Sequence, residues 1–155
     1  KDILIDGFGR IQEEVHAVVE GLGPDDLNHR PGPDANSVAW LVWHLTRVQD
    51  SHVAELVDGK QVYLSGPWPQ RFGLEPDPED TGYDHTIEQV GTVRPESVEA
   101  LVEYYDAVHE QTLQRPLYLV SRVAASARPC DASADAPPAD RTPARTAPSP
   151  RTSAP

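Results

Sequence analysis

The sequence predicts an all-α protein, a bundle of amphipathic helices, from three observations. Apolar residues recur at alternating intervals of three and four over residues 2–22 and again over 95–115, as in helices with one buried face. Between them, residues 37–57 form a strongly apolar stretch that opens after Asn36 and Ser37, residue types that cap helix N-termini. Three long helices of this kind call for a fourth to close the core.

The buried face of the first helix, over residues 2–22, is expected to consist of six apolar residues. These are Leu4, Phe8, Ile11, Val15, Val18 and Leu22. Gly23-Pro24 ends this helix, and Asp58-Gly59 is expected to end the second. Pro95 suits the first turn of the third helix, and Pro116 ends it.

The connection over residues 58–86 is long, contains four prolines and shows no regular period. Loops of this length are usually functional or mobile. Trp68, Phe72 and Tyr83 are expected to anchor it to the helices. It is interpreted either as a lid over one end of the bundle or as an ordered connector that only covers the core.

The chain is expected to form one helical bundle domain over residues 1–123, followed by a disordered tail over 124–155. That tail has no aromatic and no branched aliphatic residue, so it can bury too little apolar surface to offset the entropy of ordering. Half of the 16 prolines lie in residues 116–155.

Charge and cysteine content exclude several classes of function. Residues 1–115 hold eight basic and 22 acidic residues, a net charge of −14, which disfavours nucleic-acid binding and favours cationic or metal partners. The sequence has no apolar run of about 18 residues, so no membrane span is expected. The single cysteine, Cys130, excludes an internal disulfide framework and a cysteine-based zinc site. A cytoplasmic protein is the simplest interpretation.

His44 is the first candidate functional residue, because it lies between Trp43 and Leu45 in the most apolar turn of the second helix. A buried ring nitrogen without a partner costs free energy. His44 is therefore either a core imidazole bonded to a carbonyl or carboxylate, or a metal ligand or general base inside the bundle.

His52 cannot share a metal ion with His44. Eight residues of helix separate the two by about 12 Å along the axis, whereas zinc ligands lie about 2.0–2.1 Å from the ion. His52 is then either exposed or located at the mouth of the site. Asp50 and Tyr105 are further candidates for residues that support the site or line its mouth.

The third helix supplies the other candidate ligand. Tyr105 and His109 are four residues apart and share a helix face, so His109 could reach across the bundle to His44. His16, at the flank of the first helix, is a weaker candidate. No nucleophile, phosphate-binding loop or Ser/His/Asp arrangement is recognisable.

The stretch Asn-Ser-Val-Ala-Trp-Leu-Val-Trp-His-Leu-Thr-Arg-Val-Gln-Asp, residues 36–50, resembles the second-helix signature of the DinB-like four-helix-bundle proteins. More narrowly, it is similar to an actinobacterial branch related to mycothiol-dependent maleylpyruvate isomerase and thiol S-transferases. The likeness covers roughly residues 1–115. Besides residues 36–50, the segments that carry the likeness are residues 3–22, 71–74, 80–83 and 105–110.

The resemblance implies an up-down-down-up bundle with a divalent metal, zinc or nickel, held by three side chains. His44 would be one ligand, and two more would come from the fourth helix. The ion would lower the pKa of a low-molecular-weight thiol of the mycothiol type, whose thiolate attacks an electrophile.

The sequence departs from this pattern after the third helix, since residues 116–155 contain no histidine. Their Ala/Arg/Pro/Ser/Thr composition is typical of a GC-rich gene read in a shifted frame, which leads to the hypothesis of a frameshifted or truncated member. The predicted function is therefore that of a thiol S-transferase or isomerase-like protein with an incomplete metal site. The alternative is a non-catalytic helical domain that dimerises, or binds a partner, through the groove that a missing fourth helix leaves.

Overall fold

A computed structural model describes residues 2–114 of the chain. It contains six α-helices and one 3₁₀ turn, Tyr63–Ser65, and within residues 2–114 there is no strand, so the all-α prediction is confirmed. The helices are α1 Asp2–Val19, α2 Pro24–Asn28, α3 Val38–Leu56, α4 Trp68–Arg71, α5 Ile87–Val90 and α6 Val98–Gln114. The predicted domain boundary at residue 123 and the predicted disordered tail lie outside the described residues.

The three long helices form close to where the apolar spacing predicts them. The third begins at Val98, so Pro95 precedes α6 and does not occupy its first turn as predicted. Ser37 caps α3, because its hydroxyl oxygen accepts a hydrogen bond from the backbone N–H of Trp40 at 3.2 Å. The first helix ends at Val19, three residues earlier than predicted, and Gly21 follows it with φ +74°. That left-handed conformation suits glycine and turns the chain away from the helix axis.

Helix α6 is central, because it packs against both α1 and α3. Gln12 of α1 donates to Asp106 of α6 at 2.7 Å, and Val19 lies beside Val98 and Val102, so α1 and α6 run antiparallel. The side chains of Trp43, Tyr104, Tyr105 and Val108 are fully buried in the core between the helices. None of the helices in residues 2–114 is long and apolar enough to cross a membrane.

The predicted buried face of α1 is wrong for half of its residues. Val15 is buried as expected, and so is Val19, which the spacing did not select. Leu4, Ile11 and Val18 are exposed instead. The reason is geometric: Val19 lies beside Val98 and Val102 of α6. Ile11 and Val18 instead line the open groove between α1 and α3, and Leu4 lies with Ile11 near the start of α1.

The long connection between α3 and α6 is ordered and lies against the helices. Of its predicted aromatic anchors, Phe72 is fully buried and Trp68 is half-buried against Tyr104, but Tyr83 is 65% exposed. Two buried charged residues of α3, Arg47 and Asp50, bind its backbone. This connection brings the segment around Thr81 over the middle of α3.

Candidate functional site

His44 lies on α3, half-buried between its own helix and the loop that follows α4. Its ring stacks on the indole of Trp40, with 4.6 Å between ring centroids and 14° between planes. Tyr83 meets the same ring edge-on at 5.3 Å. The imidazole is therefore held between a helix residue and a loop residue, with part of its edge open to solvent.

The two nitrogens of His44 have different surroundings. Nδ1 lies 2.5 Å from the carbonyl oxygen of Thr81. Nε2 has no hydrogen-bond partner among residues 2–114. Nε2 is thus the ring atom that remains available to a ligand, as in metal sites where the other histidine nitrogen bonds a backbone carbonyl.

Gly82 makes this close approach of the loop sterically feasible. Its φ is +91°, and a Cβ at this position would lie 2.8 Å from Nδ1 of His44 and 3.0 Å from Cζ3 of Trp43. A side chain would also come within 3.2 Å of Trp40. Both the backbone conformation and the lack of space therefore require glycine here.

Asp80 and His85 lie on either side of Gly82 in this loop and are hydrogen-bonded to each other. Neither residue was a candidate in the sequence analysis. His85 Nδ1 accepts the indole N–H of Trp40 at 3.1 Å, and His85 Nε2 lies 2.8 Å from Oδ1 of Asp80. The same Oδ1 accepts the backbone N–H of Gly82 at 3.1 Å. The two residues lie five positions apart in a polar loop, and this spacing gives no indication of their contact with α3.

Asp50, a predicted supporting or site-mouth residue, is completely buried and holds the loop rather than a ligand. Its carboxylate accepts the backbone N–H groups of Val62 and Tyr63, each at 2.8 Å, and the hydroxyl of Tyr104 at 3.0 Å. Burial is the largest influence on its carboxyl pKa and raises it, while these hydrogen bonds and Arg47 act in the opposite direction. Its described contacts are structural.

Tyr105 and His109 lie next to each other on α6, with 6.0 Å between their ring centroids. The Tyr105 hydroxyl and Nδ1 of His109 are buried without a hydrogen-bond partner in the described part of the chain. Burial, together with the charge of Asp106, raises the pKa of Tyr105 to about 12. Burial lowers the pKa of His109; Asp106 opposes this shift, and His16 adds to it.

His44 and His109 therefore have different neighbours within residues 2–114. His44 bonds the Thr81 loop, whereas the ionisable neighbours of His109 are Asp106 and His16, which are themselves 2.8 Å apart. His52 is exposed. Residues 2–114 contain no group of three or more His, Cys, Asp or Glu side chains that could hold a metal ion.

An open apolar groove runs between α1 and α3, on the side away from α6. Its volume is about 430 Å³, and seven of its nine lining residues are apolar. These are Ile11, Val15, Val18, Val38, Leu41, Val42 and Leu45, with Arg10 and Glu14 at its edge. The exposed residues Leu41 and Leu45 of α3 belong to this surface.

Comparison with known proteins identifies the family. The model of the DinB superfamily matches residues 8–147, which is most of the chain. The chain belongs to the DinB superfamily. The broader resemblance predicted from residues 36–50 is thereby confirmed, and the narrower actinobacterial branch stays a prediction.

A solved structure has a similar fold. It is the crystal structure of a conserved protein from Enterococcus faecalis, 24% identical to this chain, with a TM-score of 0.67 over 74% of this chain and 67% of the other. No curated protein matches the chain. At this identity the likeness to the Enterococcus faecalis protein concerns the fold alone.

DinB superfamily members are generally metal-dependent, and His44 fits the role of one ligand. Its Nδ1 is occupied by a backbone carbonyl and its Nε2 has no partner in residues 2–114, which is the usual environment of a metal-binding histidine. The rest of a three-residue ligand set is not found in residues 2–114. The described part of the chain thus offers one candidate ligand and no group of three or more possible ligands.

Proposed function

We propose that this DinB protein is of the thiol S-transferase or isomerase type and that it uses a zinc or nickel ion with His44 Nε2 as one ligand. We propose further that residues 1–155 hold only part of the family's ligand set. The observation that supports this most directly is the pairing of Nδ1 with the Thr81 carbonyl, which leaves Nε2 for a cation. Because residues 116–155 contain no histidine, a fourth-helix histidine pair has no counterpart.

The proposed chemistry is activation of a low-molecular-weight thiol, such as a mycothiol-type thiol. A divalent ion in such a site lowers the pKa of a thiol that binds it. The contribution of the described residues is to bind and to orient: Trp40 stacks on one face of the His44 ring, and Tyr83 makes a T-shaped contact with it. The acidic charge of residues 1–115 favours the approach of cations.

Zinc titration of the purified full chain tests the metal part of the proposal. His44→Ala is expected to weaken the tightest zinc binding at least tenfold, because it removes a ligand. His52→Ala is the matched control, since His52 is an exposed histidine on the same helix and should leave the affinity unchanged. Equal zinc affinity of the wild type and His44→Ala would refute the assignment.

Thiol turnover tests the chemical part. With zinc or nickel present, the wild type is expected to accelerate the reaction of a chromogenic electrophile with mycothiol more than with glutathione or cysteine, and His44→Ala is expected to lose that acceleration. A metal-loaded wild type that accelerates none of these reactions would overturn the transferase proposal while leaving metal binding intact.

A second candidate function is a non-catalytic helical domain that associates with another copy through the α1–α3 groove. It is supported by the exposure of Ile11, Val18, Leu41 and Leu45 along this one surface. Leu41→Lys is expected to convert a dimer into a monomer in sedimentation experiments. Leu64→Lys is the control, because Leu64 is similarly exposed but lies outside the groove. A monomeric wild type would exclude this function.

A further inference from the structure

The loop between Asp80 and His85 and the helix residues Trp40 and His44 form one continuous hydrogen-bonded network. We infer that Asp80 and His85 are positioning residues for His44: they hold the Thr81 carbonyl against Nδ1 and so select the tautomer in which Nε2 carries the free lone pair. This inference deepens the proposed metal-dependent function, and its central measurement requires no metal.

The tautomer of His44 follows from the chemistry of its partner. A carbonyl oxygen only accepts hydrogen bonds, so Nδ1 of His44 must carry the proton in their 2.5 Å contact. The neutral tautomer protonated at Nε2 would place two lone pairs against each other. Of the two neutral forms, the contact therefore selects the one with an unprotonated Nε2.

The tautomer of His85 follows in the same way and is the opposite one. The indole nitrogen of Trp40 only donates, so Nδ1 of His85, 3.1 Å away, must accept. The neutral ring then carries its proton on Nε2 and donates it to Oδ1 of Asp80 at 2.8 Å. His85 thus joins Trp40 of α3 to Asp80 of the loop, with each ring nitrogen in one defined role.

Asp80 transmits this link to the carbonyl that His44 uses. Its Oδ1 accepts from His85 and also from the backbone N–H of Gly82, the residue after Thr81. The backbone carbonyl of Asp80 is fixed as well, because it accepts from Nε of buried Arg47 at 2.9 Å. The peptide groups on both sides of Thr81 are therefore held, and the direction of its carbonyl follows.

Trp40 closes the network, because its indole both donates to His85 and stacks on the His44 ring. A 180° flip of the His44 ring would replace the Nδ1–H donor by a C–H group against the Thr81 oxygen and lose the hydrogen bond. The ring plane and the ring orientation are thus both fixed before any ligand arrives, which lowers the ordering cost of binding at Nε2.

Long-range ¹H–¹⁵N NMR of the full chain, labelled at histidine and recorded near pH 8, tests the inference. In the wild type, His44 is expected to show a protonated, pyrrole-like Nδ1 and an unprotonated, pyridine-like Nε2. Asp80→Ala removes the shared acceptor and is expected to give His44 a mixture of tautomers. His85→Phe keeps an aromatic ring beside Trp43 but loses both hydrogen bonds, and it should have the same effect.

Two variants separate a positioning role from general damage to the loop. Asp80→Asn retains Oδ1 as an acceptor for Gly82 and His85, so it should restore the wild-type tautomer. Asp77→Ala changes another loop carboxylate, whose hydrogen bond within residues 2–114 is to the nearby backbone N–H of Glu79, and should leave His44 unaffected. Unchanged signals of His109, which is buried in the core away from the altered residues' own loop, report that each variant is folded.

The outcomes distinguish this inference from the proposed function. A wild-type His44 protonated at Nε2, or present as a mixture, overturns the inference whatever the metal data show. A folded Asp80→Ala or His85→Phe variant that keeps the wild-type tautomer overturns the positioning role of the altered residue. The expected tautomer in a protein that binds no zinc would support the inference and refute the proposed metal function. In a protein that binds zinc, Asp80→Ala should weaken zinc binding by about 10–100-fold.

Discussion

The guanidinium of Arg47 and the carboxylate of Asp50 lie 3.8 Å apart on α3, and both side chains are completely buried. Each is bonded mainly to the connection between α3 and α6. Arg47 donates to the backbone carbonyls of Asp77, Pro78 and Asp80. Asp50 accepts from two backbone N–H groups at the start of that connection. The pair therefore holds this connection at two points, at residues 62–63 and again at residues 77–80, directly before Thr81.

Replacing Asp50 by Asn is expected to destabilise the protein by about 3–5 kcal/mol, the usual cost of breaking a buried ion pair. The change leaves Arg47 as an uncompensated buried charge, and it turns an amide donor toward groups that themselves donate. Urea unfolding followed by circular dichroism measures the loss.

The matched control for this change is Asp6→Asn. Asp6 also pairs with an arginine of its own helix, Arg10, at 2.9 Å, but both side chains are mostly exposed. A change within about 0.5 kcal/mol is expected there, as for other surface substitutions. If both variants lose equally little stability, the buried pair does not hold the connection in place.

The pairing of Arg47 with the loop shows where sequence reasoning ends. The three long helices and the Ser37 cap could be predicted, because they depend on spacing and on neighbours within a few residues. The sequence gives no indication that Arg47 is buried, because its partners lie up to 33 positions away. Only the folded chain brings a row of backbone carbonyls to a buried guanidinium.

The candidate site, too, could be predicted from the sequence only in part. His44 could be selected from sequence, because an imidazole is unusual in so apolar a turn. Its partner Thr81 is 37 residues away and contributes only a backbone carbonyl, which carries no residue signature. The roles of Asp80 and His85 depend on that same loop geometry, so neither residue could be predicted.

Protonation of His109 is expected to make stability depend on pH. Burial lowers its pKa in the folded protein below the ordinary value of about 6.5. The unfolded chain therefore binds more protons between these two pKa values, so the stabilising contribution is complete above about pH 6.5 and is lost as the pH falls toward the folded-state pKa.

Urea unfolding at a series of pH values between about 8 and 5 checks this prediction, because this range includes the ordinary pKa of histidine. His109→Gln should reduce the fall in unfolding free energy on acidification, whatever its effect at pH 8. His52→Gln also removes one histidine, but an exposed one, and should leave the pH dependence unchanged. Identical pH profiles of the wild type and His109→Gln would contradict the prediction.

Substitution of Gly82 by alanine is expected to disrupt the contact between the loop and His44 and to cost stability for two reasons. A non-glycine residue at φ +91° costs about 1–2 kcal/mol in backbone strain. The added Cβ, 2.8 Å from His44 and 3.0 Å from Trp43, adds about 1–3 kcal/mol of overpacking.

Gly73→Ala separates the backbone strain from the overpacking, because Gly73 also has a positive φ, +70°, while its Cβ would meet nothing closer than 3.8 Å. Unfolding by urea should therefore show a larger loss for Gly82→Ala, and amide hydrogen exchange should rise around Thr81 in that variant alone. Equal losses in the two variants would mean that the loop does not press against His44 as closely as the structure shows.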